Sequence, residues 1–173
     1  MSGYVYRGRK FSVKVGDHKL PSGREVQVEV VEYPGAAVIL PLLDGGSVVL
    51  VKQYRPAIGR WIYELPAGTI MPGENPECCA RRELEEETGY KAGRLAKMFS
   101  MYTAPGYSTE VLHSYLAERL ERGEVRLEED EELAVEAIPL GEAIEMVRRN
   151  EICDGKTIAT LLYYVERGRR TRR

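Results

Sequence analysis

Between Gly68 and Tyr90 the chain reads GTIMPGENPECCARRELEEETGY, and its carboxylates fall at regular intervals. Glu83 and Glu87 are four residues apart, and Glu86 is three from Glu83. On an α-helix these spacings stack side chains on one face, a turn apart. Like charges stacked in this way destabilise a helix by roughly 0.2–0.5 kcal/mol per pair. Carboxylates in the last turn also oppose the helix dipole. A positive partner must offset both effects, and Arg82 can supply part of it. A hard divalent cation would supply more, because Mg²⁺ takes oxygen ligands and is held by a few carboxylates together with substrate phosphates. The plainer alternative is a solvated acidic face, and the carboxylates alone do not separate the two.

The element that must carry them is a short helix with clear ends. Asn75 is a good N-cap, Pro76 suits the first helical position and Gly89 suits the residue after the last turn. The helix is therefore expected over about 76–88. Ala80, Leu84 and Thr88 recur every four residues and form a narrow stripe toward a core. Read as a pattern, the stretch is Gly68, five residues, Glu74, seven residues, then Arg82-Glu83-Leu84-x-Glu86-Glu87-x-Gly89-Tyr90. This resembles the Nudix box, the signature of the Nudix hydrolases. Tyr90 departs softly from it, standing where the family more often has an aliphatic residue.

The resemblance implies cleavage of a nucleoside diphosphate linked to another group, with Mg²⁺ as cofactor and Mn²⁺ or Zn²⁺ able to stand in. It places metal ligands at Glu83, Glu86 and Glu87, and makes Arg82 the residue that holds those carboxylates in place. Gly68 would let the chain turn closely into the box. The carbonyl of Ala67, just before it, is a further expected ligand, and Glu74 is expected to be structural.

The remainder of the chain bounds the setting. Its 173 residues suit one domain, and 43% hydrophobic with 30% charged residues at a net charge of −2 is a globular composition. No signal peptide and no apolar run near 18 residues is evident, so a cytoplasmic protein without a membrane partner is expected. Cys78, Cys79 and Cys153 have neither disulfide nor zinc-ligand spacing and read as small buried side chains in a reducing compartment.

Apolar alternation at Phe11, Val13 and Val15, and again at Val26, Val28 and Val30, marks a small antiparallel unit over 1–34. Two or three such strands cannot bury a face alone. Strands are expected at about 36–43, 47–51, 61–65, 95–101, 110–117 and 133–140, with the Asp44-Gly45-Gly46 turn joining the first two. A helix follows at 141–149, and Asp154 caps a last one to about 167, with Ile158, Leu161, Leu162 and Val165 as its core face. The order is α+β, an α/β/α sandwich, and the Nudix fold implied by the resemblance, a mixed sheet between helices, agrees. The catalytic domain would span 35–166. The basic tail, 167–173, reads as a solvated end, with a nucleic-acid or phosphate contact as the alternative; no nucleic-acid partner is expected.

The flanks narrow the resemblance to the ADP-ribose pyrophosphatase subfamily. They are Gln53-Tyr54-Arg55, then Glu64-Leu65-Pro66-Ala67-Gly68, then Pro105-Gly106 about fifteen residues after the box, and Asp154-Gly155-Lys156-Thr157 near the end. The implied reaction is ADP-ribose to AMP and ribose 5-phosphate. Arg55 would pair with substrate phosphates, since a guanidinium matches them bidentately; a surface salt bridge is the alternative. Glu64 would hydrogen-bond the terminal ribose, support the metals or pack its strand. The Pro105-Gly106 loop is the feature associated with ADP-sugar preference. The subfamily's general base is a glutamate in the acidic loop 128–132, where register favours Glu129 and then Glu131. The subfamily also implies a homodimer through the N-terminal strands, with Tyr4, Tyr6, Phe11 and Tyr33 as candidate stacking residues. Competing readings are a Nudix enzyme for a GDP-mannose-type sugar or a nucleoside polyphosphate, and a non-catalytic nucleotide sensor, which would typically have lost box carboxylates.

Overall fold

The computed structural model describes residues 3–127 and 132–170. Three strands come first: β1 (Gly3–Arg7), β2 (Ser12–Lys19) and β3 (Glu25–Glu32), an antiparallel sheet in the order β1-β2-β3. Its first strand lies earlier than the alternation at Phe11 suggests, because residues 8–11 form the turn, closed by Gly8 N–H donating to the Phe11 carbonyl at 2.9 Å. All of β1 is exposed. The sheet joins the rest of the chain through β3, where Val31 bridges Ser108 and donates its N–H to the Tyr107 carbonyl at 2.7 Å.

The body holds β4 (Ala36–Pro41), β5 (Ser47–Arg55), β6 (Arg60–Glu64), β7 (Ala67–Thr69), α1 (Pro76–Thr88), β8 (Tyr90–Tyr102), β9 (Val111–Arg122), β10 (Leu133–Pro139), α2 (Leu140–Arg148) and α3 (Gly155–Arg170). A mixed sheet runs β7-β4-β9-β8, with β4 and β9 parallel and the other pairs antiparallel. A second, antiparallel sheet runs β10-β5-β6. The fully apolar β4 is buried along its length and feeds two cores. Ala36, Val38 and Leu40 pack with Val48, Leu50, Met146 and Leu161, and so with the second sheet, α2 and α3. Ala37 and Ile39 point the other way and pack with Cys79, Ala80 and Leu84 of α1. This is the expected α+β arrangement, a mixed sheet between helices with a small strand unit ahead of it.

The helix ends lie where the residue types put them. Asn75 Oδ1 accepts from Glu77 N–H at 2.8 Å, and Gly89 adopts the left-handed conformation at φ 68°. Asp154 Oδ2 accepts from Thr157 N–H at 3.0 Å and opens α3. Two expectations need correction. Leu162 is exposed, and α3 instead turns Thr157, Thr160, Leu161 and Tyr164 inward. The two buried hydroxyls are paired, Thr157 with Asp154 at 2.6 Å and Thr160 with Ser114 at 3.2 Å, so they suit the core face. Cys78 is exposed, since only Cys79 falls on the buried side of α1. Among the described residues no helix is long and apolar enough to cross a membrane.

Candidate active site

Strand β7 and helix α1 face each other, and every residue of β7 touches the charged array on α1. Ala67 N–H donates to Glu87 Oε2 at 3.1 Å. Gly68 lies against Glu83 so closely that an added Cβ would stand 1.9 Å from its carboxylate. The Thr69 carbonyl accepts from Arg82 Nη2 at 3.3 Å. A side chain at this position would therefore displace the Glu83 carboxylate.

Arg82 organises the carboxylates. Its Nη1 donates to Glu83 Oε1 at 2.6 Å and to Glu86 Oε2 at 3.0 Å. Its Nε and Nη2 hold Glu74 at 3.0 and 3.1 Å. Glu74 in turn accepts from Met71 N–H at 2.9 Å, which ties the loop before α1 to the same arginine. The guanidinium pulls the Glu74 carboxyl below its ordinary range, while Glu74 raises the Arg82 pKa further above its own. Burial pushes the Cys79 thiol up to about 12, helped by the charges of Glu83 and Glu74, so it is an inert neighbour.

These side chains test the fit of a divalent cation. Three carboxylates, Glu74, Glu83 and Glu86, surround one guanidinium, a fourth, Glu87, accepts from Ala67 N–H, and Glu83 and Glu87 are 9% and 3% exposed. Among the described residues no three His, Cys, Asp or Glu side chains already converge as a metal cluster. The donors are all hard oxygens with negative charge in excess, which is the chemistry Mg²⁺ requires. The residues fit the ion in kind, with Arg82 holding Glu83 and Glu86 meanwhile.

A cavity of about 820 Å³ opens over this array. Glu83, Glu87, Ala67 and Gly68 form one side of it, and Glu86 is not among its lining residues. Arg55, Asp154, Gly155 and Lys156 form another part of its wall. There Glu64, 1% exposed, accepts from Arg55 Nε and Nη2 at 2.6 and 2.8 Å and also from Lys156 Nζ. Lys156 Nζ donates to Asp154 at 3.0 Å as well. Burial alone would raise the Glu64 pKa, but Arg55 and Lys156 together outweigh it and hold the carboxyl below its ordinary value. Arg55 is thus both cavity-lining and salt-bridged. Glu64 is committed to two cations.

The N-terminal unit adds Arg9, Lys10 and Tyr33 to the lining. Tyr4 instead hydrogen-bonds Glu32 at 2.6 Å, and Tyr6 packs on Phe11 with ring centroids 5.5 Å apart; none of these three lines the cavity. Pro105 and Gly106 are exposed at the tip of their loop and do not line it either. The two ends of that loop do, Thr103 donating to Glu110 at 2.6 Å. Glu129 and Glu131 lie outside the described residues. The flanks of their segment are tied down: Arg126 N–H donates to the Glu86 carbonyl at 2.9 Å, and the Glu132 carbonyl accepts from Tyr54 N–H at 3.0 Å. Sequence reasoning missed Arg9, Lys10 and Thr69 as cavity residues, and gave Lys156 no role of its own. The available signal was the pair of adjacent cations in the Gly8–Phe11 turn; nothing local marks Thr69.

Comparison with known proteins bears on this arrangement. The NUDIX domain matches residues 32–161. The chain is 40% identical to the ADP-ribose pyrophosphatase of Bacillus subtilis (strain 168) over 161 residues, 92% of this chain and 87% of that one. It is 38% identical to the GDP-mannose pyrophosphatase of Cronobacter sakazakii over 147 residues, 78% of this chain and 74% of that one. A crystal structure of an ADP compounds hydrolase superimposes with a TM-score of 0.83 at 24% identity, covering 96% of this chain and 90% of the other, a likeness of fold.

Proposed function

The chain belongs to the Nudix hydrolases, and on that premise we propose that it hydrolyses the pyrophosphate of ADP-ribose to AMP and ribose 5-phosphate with Mg²⁺. The substrate class is a nucleoside diphosphate linked to a sugar. One observation carries the reading: a single cavity joins a carboxylate array of excess negative charge to a wall that holds Arg55 and Lys156. A pyrophosphate is itself anionic and a poor electrophile. Bound between Glu83, Glu86, Glu87 and the Ala67 carbonyl, Mg²⁺ would neutralise and orient it and would acidify water.

The chain's own residues do the rest. Arg82 holds Glu83 and Glu86 in place through one shared Nη1. Arg55, with 38% of its side chain in solvent, retains exposed guanidinium surface for a phosphate while Glu64 fixes its plane. Gly68 and Ala67 leave room for the reacting group next to the carboxylates. Glu129, or in second place Glu131, takes the proton from the attacking water. Support for that assignment is the anchoring of the segment's flanks at Glu86 on one side and Tyr54, next to Arg55, on the other. The Pro105-Gly106 loop acts on substrate preference through its ends, Thr103 and Glu110. The protein works as a homodimer through its N-terminal strands; the exposed aromatic face of β1 supports this, and light scattering tests it.

The likeness to a GDP-mannose pyrophosphatase keeps a second sugar nucleotide in contention. Side-by-side turnover of ADP-ribose, GDP-mannose, a dinucleoside polyphosphate and an oxidised nucleoside triphosphate decides between them. ADP-ribose is expected to be preferred, with AMP and ribose 5-phosphate as products; preferential cleavage of any other compound rejects it. Running the reaction in ¹⁸O-water identifies the phosphorus attacked.

A further inference from the structure

The carboxylate array is fixed from α1 by Arg82 and from the opposite side by β7. What fixes β7 is less obvious, because it is three residues long and, among the described residues, pairs only with β4. Short edge strands are weakly held, and an error here would pass directly to Glu87 through Ala67, to Glu83 through Gly68 and to Arg82 through Thr69. The backbone pairing Ala36↔Thr69, Ala37↔Gly68 and Val38↔Ala67 sets the register of β7. It does not set its lateral position toward the cavity.

Besides its contacts with α1, the strand has a side-chain tie to the N-terminal unit. Tyr33 Oη and Thr69 Oγ1 are 2.8 Å apart, a hydrogen bond between the end of β3 and the last residue of β7. Tyr33 is itself clamped by Thr109, whose Oγ1 accepts from Tyr33 N–H at 3.0 Å and donates to the Tyr33 carbonyl at 3.3 Å. The hydroxyl therefore projects from a held backbone, not from a loose end. Tyr33 and Thr69 both line the cavity.

We infer that Tyr33 is a positioning residue for the carboxylate array, acting through its hydrogen bond to Thr69 and so through β7. The inference deepens the proposed function and rests on its metal reading, though not on which sugar nucleotide is cleaved. Physically, the bond pins the side chain of Thr69, whose carbonyl then meets Arg82. Arg82 in turn sets Glu83 and Glu86. A partner one step behind the ligands that fixes their orientation is worth about 10–100-fold in metal affinity. Tyr33 acts further behind, through Thr69 and then Arg82, so the lower end is expected.

The test is Mn²⁺ binding to the substrate-free protein, followed by calorimetry or paramagnetic resonance, in wild type, Tyr33→Phe, Thr69→Val, Thr69→Ser and the Tyr33→Phe/Thr69→Val double variant. Tyr33→Phe and Thr69→Val should each weaken Mn²⁺ binding by about 10-fold, with unchanged unfolding midpoints. Thr69→Ser keeps the hydroxyl and should restore the affinity. The double variant should be no weaker than either single one, since both remove the same bond. Wild-type affinity in Tyr33→Phe, or additive losses in the double variant, overturns the inference, as does a wild-type protein that binds no Mn²⁺. Should either single variant fail to fold, the contrast of Thr69→Ser with the other decides. ADP-ribose turnover is scored separately: its absence alongside the expected Mn²⁺ pattern rejects the substrate and leaves the role of Tyr33 standing.

Discussion

Two charged clusters border the same cavity and are built in opposite senses. In one, the Arg82 guanidinium contacts Glu74, Glu83 and Glu86, with Glu87 beside them on Ala67. In the other, the Glu64 carboxylate contacts Arg55 and Lys156, and Asp154 balances the second cation. The Glu64 cluster counts two cations against two anions and closes on itself. The Arg82 cluster shares one guanidinium among three carboxylates. A closed cluster holds elements together; an unbalanced one stores a demand for a partner. The difference teaches which charges in the cavity are scaffold and which are there for something that arrives.

Removing a carboxylate from the unbalanced cluster should break function and spare the fold. Glu86→Gln is expected to lower hydrolysis by about 100-fold or more, since loss of a preorganised electrostatic group in an active site typically costs that much. The same change relieves repulsion with its neighbours along α1, so the unfolding free energy should stay level or rise by a few tenths of a kcal/mol. Parallel measurement of turnover and urea unfolding checks both signs. Unchanged hydrolysis would end the catalytic reading of the array.

Gly68→Ala probes the same cluster through shape instead of charge. The new methyl would sit 1.9 Å from the Glu83 carboxylate, which must move although Arg82 pins it at 2.6 Å. A loss of about 10–100-fold in activity is expected, comparable to disturbing a group that orients metal ligands. Substrate KM should change less than kcat, because the displaced group sits at the reacting end. Steady-state kinetics separates the two.

How legible these clusters are in the sequence differs for a physical reason. The Arg82 cluster is mostly local: Glu74 to Glu87 span one loop and one helix, and helical spacing alone aligns the carboxylates. The caps at Asn75 and Gly89 bound that helix correctly, and the apolar run of β4 announces a buried strand. The Glu64 cluster joins residues 55, 64, 154 and 156, which only the closed fold brings together. Sequence can mark Arg55 and Glu64 as candidates, but not that one is the other's counter-ion. The inward turn of Thr157 and Thr160 is hidden for a like cause: each hydroxyl takes a distant partner, Leu65 N–H or Ser114, which for Thr157 adds to the nearby Asp154. Leu162, the more hydrophobic choice, is consequently the wrong one.

The balanced cluster should respond to mutation in the opposite way, through stability first. Glu64→Gln leaves Arg55 and Lys156 facing a neutral amide. The expected cost is on the order of 2 kcal/mol, less than for breaking a fully buried pair, because Arg55 keeps 38% of its side chain in solvent. The pH dependence fixes the sign. Glu64 has its folded-state pKa held below the unfolded one, so its contribution is fully present above about pH 4.3 and is lost as pH falls through the folded value. Denaturation curves of wild type and Glu64→Gln should therefore differ at neutral pH and converge in acid. Curves that stay parallel to low pH would mean Glu64 is not the counter-ion that the geometry makes it.

The smallest effect expected comes from a buried polar group outside both clusters. Gln53 lies on β5 two residues before Arg55 and so shares its side of the strand. It is 4% exposed, yet its Oε1 is buried with no hydrogen-bond partner among the described residues. Burying an amide carbonyl without a partner costs about 1–3 kcal/mol, whereas an apolar group of similar shape at the same place does not incur that cost. Methionine is the closest unbranched apolar match. Gln53→Met is therefore expected to be neutral or to stabilise by about 1 kcal/mol, with the carboxylates untouched. If it instead destabilises by more than about 2 kcal/mol, the carbonyl has a partner in solution. Gln53 would then join Glu64 as a paired buried group, and the scaffold wall would extend along β5 beyond Arg55.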